Sequence, residues 1–97
     1  MSHIRIDSIE IKIEPDAILD RYRFVEAVAE VRYDSHDGKF IREEHLHSLG
    51  RGNVENDSEC IRTAVDAQLD DLKTHLEVFG VDTSDFGWHA QQAKGEM

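Results

Sequence analysis

His45 and His47 are separated by one residue, so in a strand both point to the same face, as metal-binding His-x-His pairs do. His36 lies across a turn from them. A zinc site needs a third or fourth ligand in matching geometry, and no spacing in the chain marks one. The expectation is surface histidines on a strand, with no metal and no cofactor. Glu43 and Glu44 are adjacent, point to opposite faces of a strand and cannot act as a carboxylate pair. Cys60 is the single cysteine. Its place beside a helix start would lower a thiol pKa, but no His or Asn is spaced to make it a recognisable nucleophile, and it is expected to be buried or inert. Phosphate-binding loop, dinucleotide loop and nucleophile elbow are all missing from the sequence. Catalysis is not expected.

Carboxylates are the chemistry left. Glu59, Asp66, Asp70 and Glu77 are 7, 4 and 7 apart. On a helix all four project within roughly 40° of one direction and cover about 27 Å of its axis at 1.5 Å per residue. Asp71, Asp82 and Asp85 add to them. The formal charge is −10. Residues 55 to 85 hold nine acids against Arg62 and Lys73, which is −7 of that total. A solvated helix face accounts for such a stripe in the simplest way; a surface shaped to meet something basic is the sharper alternative.

The element carrying the stripe is the clearest in the chain. Ile61, Val65, Leu69, Leu72, Leu76 and Phe79 recur at helical spacing and predict one long amphipathic helix from Asn56 to Gly80. Asn56 is the expected cap, with Glu59 completing a capping box. Gly80 supplies the left-handed terminator, and Val81 the contact that closes it.

Before it the chain alternates. Ile4 and Ile6, then Ile9, Ile11 and Ile13, predict a first strand whose apolar parity slips by one at Asp7-Ser8, the mark of a bulge or bend. Pro15 ends it and suits the first position of a short helix through Tyr22, with Ile18, Leu19 and Tyr22 as its buried side. Val25, Ala27, Ala29, Val31 and Tyr33 predict a second strand with a dry face; Glu26, Glu30, Arg32 and Asp34 make the other face wet. Asp37-Gly38 is a hairpin turn signal. A third strand follows from Lys39 to about Leu49, with Phe40 and Leu46 on one parity and Ile41 and Leu49 on the other. A flexible loop follows at Gly50-Arg51-Gly52-Asn53. Phe86 and Trp88 stand out beyond the long helix, folded back on the sheet or offered to a partner.

These elements predict an α+β fold in β-α-β-β-α order: a small two-layer sandwich, with a three-stranded, mostly antiparallel sheet under one long C-terminal helix. Residues 1–90 form the expected single domain and 91–97 a frayed tail. Two open sheet edges offer a route to a homodimer. The acidic balance argues against direct binding to nucleic acid or to an anionic membrane. No apolar run reaches membrane-spanning length, and the N-terminus lacks a signal peptide's apolar core. With one cysteine, the expected compartment is a reducing cytoplasm.

In size, acidity and the stripe Glu59, Asp66, Asp70 and Glu77, helped by Asp71, Asp82 and Asp85, the chain resembles the DNA-mimic inhibitors carried by phages and mobile elements. Some anti-CRISPR and anti-restriction proteins belong to that group. The resemblance implies an inhibitor whose carboxylates stand where duplex phosphates would lie, docked in the Lys/Arg-lined channel of a basic, nucleic-acid-binding partner. The rival expectation is a small structural or assembly module of phage or bacterial origin, joined through a sheet edge or through Phe86 and Trp88.

Overall fold

The computed structural model describes residues 3–48 and 53–97. Four strands precede two helices: β1 (Ile4–Pro15), β2 (Tyr22–Asp34), β3 (Phe40–His47), β4 (Asn53–Glu55), α1 (Ser58–Phe79) and α2 (Phe86–Gly95). The fold is α+β, an antiparallel sheet with the helices on one face. β2 is the central strand. β1 pairs with one of its sides; β3 and β4 share the other, β3 along Val28–Asp34 and β4 along Tyr22–Phe24.

The parity slip in β1 is a real bulge. The ladder pairs Ile6 with Val31 and then Ser8 with Glu30, leaving Asp7 as the extra residue. Ile4 and Ile6 on one side of the bulge, and Ile9, Ile11 and Ile13 on the other, therefore share the face that Val25, Ala27, Ala29, Val31 and Tyr33 present. Onto this face α1 lays Val65, Leu69, Leu72 and Leu76, the last two fully buried. Leu46 joins the core from β3.

α1 begins one residue later than expected. The cap is Asp57, whose carboxylate accepts from the amides of Glu59 (3.0 Å) and Cys60 (3.1 Å). It ends as the sequence indicates: Gly80 sits at φ 89°, and the Val81 amide reaches back to the Leu76 carbonyl at 2.9 Å. Gly38 likewise adopts φ 82° in the β2–β3 turn.

Three further expectations need correction. Residues 16–21 form a tight turn, not a helix. The Asp16 carboxylate takes the amides of Ile18 (2.8 Å) and Leu19 (2.9 Å), the local competition by which Asp favours turns over helices. Ile18 and Leu19 point outward, Ile18 at 90% exposure, and β2 starts already at Tyr22. Most of the tail expected to fray, 91–97, belongs to α2. It runs to Gly95, antiparallel to α1, and seats Phe86, Ala90 and Ala93 in the core beside Ile6 and Ile9 of β1. Asn53, assigned to a loop, opens β4. The rest of that loop, 50–52, and the strand end at Leu49 lie outside the described residues. No helix among the described residues is long and apolar enough to cross a membrane.

Candidate functional site

Glu59, Asp66, Asp70 and Glu77 are all exposed on α1, as the spacing requires. They are not equivalent. Lys94, brought alongside by α2, lies 2.7 Å from Asp66 and neutralises that member of the row. Glu59, Asp70 and Glu77 have no Lys or Arg within ion-pair distance among the described residues. Asp71 is half-buried and lies about 100° around the helix from Asp70. Asp82 and Asp85 belong to the α1–α2 connection, where they hold backbone and side chains in place. Asp82 accepts from the Ser84 amide at 3.0 Å, which keeps its carboxyl below the usual range; Asp85 bonds His89 Nε2 at 3.1 Å. The seven carboxylates thus reduce to three free ones on a single helix face.

The two aromatic candidates part company. Phe86 is core, 8% exposed, with the Lys73 ammonium 5.9 Å above its ring. Trp88, one helical position on from Gly87, is 62% exposed and meets His89 edge-on.

The outer face of the sheet carries a second acidic surface. Cross-strand register places Glu30 beside His45, with Ser8 on its other side, and Val28 between Glu10 and His47. The bulge aims Asp7 toward Glu30 and Glu43, and ligand oxygens of all three lie within 4.8 Å of one another. The Glu43 carboxyl is raised, chiefly because it shares a hydrogen bond with Glu30, then by desolvation and by the charges of Glu30 and Asp7. An all-oxygen set of this kind has the chemistry of a hard-cation site rather than a zinc site. Arg5 and Arg32 are engaged elsewhere on this face, both at 2.9 Å from Asp34, whose carboxyl they hold low.

The histidines do not converge. His47 Nδ1 meets Glu26 at 3.1 Å, His45 Nε2 lies 4.0 Å from Glu30, and His36 packs edge-on against His3. Glu43 and Glu44 do face opposite ways: Glu44 is under the helices, where it accepts from the Tyr33 hydroxyl at 2.6 Å. At Cys60 the helix start does not lower the thiol. Burial pushes the thiol up, and Asp57, Glu55 and Glu59 push it further, overriding the helix start.

Sequence reasoning missed the Asp7, Glu30 and Glu43 group because its members come from three strands. The parity slip at Asp7-Ser8 was the one available signal. No family model, curated protein or solved structure matches the chain.

Proposed function

We propose that the protein is an acidic binding module that presents the α1 carboxylates to a basic protein surface, in the manner of a DNA-mimic inhibitor. One observation carries the reading. Glu59, Asp70 and Glu77 stand exposed on one helix with no Lys or Arg among the described residues at ion-pair distance, whereas Asp66 has Lys94. Like charges along a helix face do nothing for its stability. What they supply is a negative field over about 27 Å that steers a basic partner and raises its rate of encounter. The acidic outer face of the sheet extends the field around the molecule.

The test is a charge reversal confined to the free members, Asp70→Lys with Glu77→Lys. A partner captured from lysate by the wild-type protein and identified by mass spectrometry should bind the double variant more than tenfold more weakly, about 1.4 kcal/mol. Rising salt should weaken the wild-type complex, since exposed charges are screened within about 8 Å at 0.15 M. Equal binding by wild type and double variant would remove α1 from the contact.

A further inference from the structure

β1 is a terminal strand of the sheet, and its outer side is only partly occupied. Near its start the chain returns after α1: the Asp82 amide donates to the Ile4 carbonyl at 2.8 Å, and Arg5 forms a parallel bridge with Asp82. The bulge follows at Asp7. From Ser8 to Glu14 the outer edge has no partner among the described residues, and Pro15 then ends the strand. Beside the first part of this edge runs a groove of about 440 Å³, walled by Asp7–Glu10 on one side and by Trp88, His89, Gln92, Ala93 and Glu96 on the other.

The open stretch reads Ser-Ile-Glu-Ile-Lys-Ile-Glu, and its midpoint is Ile11. We propose that this edge pairs antiparallel with the same edge of a second copy, about a two-fold axis through Ile11. In that register Ile11 meets Ile11, Ile9 meets Ile13, and Glu10 meets Lys12 twice, once on each side of the axis. Ser8 meets Glu14. The isoleucines stay on the helix side and the charges on the outer side, so both sheets continue into one.

Neighbouring registers are worse. An axis at Glu10 sets Glu10 against itself, and one at Lys12 sets Lys12 against itself and Glu10 against Glu14. An axis at Ile13 sets Glu10 against Asp16 and Ile11 against Pro15, which has no amide to give. The groove suits the visitor: the second copy's Lys12 arrives beside Glu10, with Asp7 on the same wall. The exposed Trp88 ring lies over the place where that copy's Ile13, 37% exposed in the single chain, would arrive. A self-complementary patch of this kind closes a two-fold dimer and removes an edge that otherwise invites uncontrolled pairing. The inference is independent of the α1 acid face, which stays outside this contact.

Light scattering coupled to size exclusion tests it directly. The wild-type chain should be a dimer, with Lys12→Glu and Glu10→Lys each shifted to monomer at the same concentration. The exchange variant Glu10→Lys/Lys12→Glu restores both cross-strand pairs and should restore the dimer. Independently of these, Ile11→Cys in a Cys60→Ser background should form an intermolecular disulfide on mild oxidation, because directly opposed residues lie about 4.5–5.5 Å apart at Cα. Emission of the single tryptophan, Trp88, should move to shorter wavelength as the dimer forms. A wild-type monomer at the highest soluble concentration would overturn the proposal. A dimer that survives both single reversals and yields no Ile11→Cys disulfide would overturn it too, by showing that another surface pairs.

Discussion

The Ser48 hydroxyl donates to Gln68 Oε1 at 2.6 Å, joining the end of β3 to the buried side of α1. The same hydroxyl accepts from the Ala27 amide at 3.0 Å, while the Ser48 amide donates to the Ala27 carbonyl at 2.8 Å. Both side chains are buried, so three elements are pinned by one small polar joint inside an apolar interface. Ser48→Ala withdraws the partner of a buried amide and of a buried carboxamide together. It should cost about 1–3 kcal/mol in urea melts, more than an exposed serine such as Ser84 would.

Leu72 sits where α1 crosses the centre of the sheet and has no exposed surface. Leu72→Ala should lower stability by about 2–5 kcal/mol. Val78 lies on the same helix at 82% exposure, and Val78→Ala should change stability by no more than about 0.5 kcal/mol. Denaturant midpoints for the two variants measure the contrast on one element.

Glu43 and Asp34 share the outer face of the sheet and should respond to pH with opposite signs. The Glu43 carboxyl is raised by Glu30 and Asp7, so the folded state favours its protonated form. Its contribution is present in acid and is lost as pH rises through its own elevated value. Glu43→Gln should therefore raise the melting temperature at neutral pH and change nothing below the carboxylate range. The Asp34 carboxyl is lowered by its hydrogen bond to Arg32 and by the charges of Arg32 and Arg5. Its contribution is present above the ordinary carboxylate value and is lost as pH falls through the depressed one. Asp34→Asn should lower the melting temperature at neutral pH, with the two proteins converging in acid. Thermal melts across a pH series read both.

Reversal of Asp70 alone should leave the fold intact. Asp66 is already held by Lys94, and Lys73 follows Asp70 by three residues, so Asp70→Lys gives up about as much pairing as it gains. The expected change in stability is no more than about 0.5 kcal/mol, visible as a nearly unchanged denaturant midpoint and an unchanged far-ultraviolet spectrum. A large loss would mean that Asp70 has a structural task.

α1 could be read from the sequence because everything local agrees: apolar spacing, an acidic start and a glycine that tolerates positive φ. The bulge was legible for a different reason. Five isoleucines cannot all face the core across a parity change unless one residue is left over, and Asp7 is that residue. The turn at 16–21 was not legible, because Pro15 and Asp16 suit a helix start and a turn equally; the pairing of Tyr22 with the sheet decides between them. α2 was hidden by its composition. Its buried face is Phe86, Ala90 and Ala93, two of them small, with Gly87 inside the first turn. Of the candidate site, the helix row was visible as spacing. That Lys94 would neutralise Asp66, and that Asp7, Glu30 and Glu43 would meet, depend on contacts between distant segments that no local pattern encodes.

The order of elements along the chain has a kinetic consequence. β1 pairs with β2 and β2 with β3 through neighbouring segments, while β4 and α1 reach β2 from further along the chain. α2 on β1, together with the Asp82 bridge to Arg5, is a contact between opposite ends of the chain. It is the last to gain from what the others have already ordered, and the first to be released. Each time α2 lifts away, Ile6 and Ile9 are bared on the edge strand β1. Heating or C-terminal clipping should therefore lead this protein to aggregate through β1 before it loses the β2–α1 core.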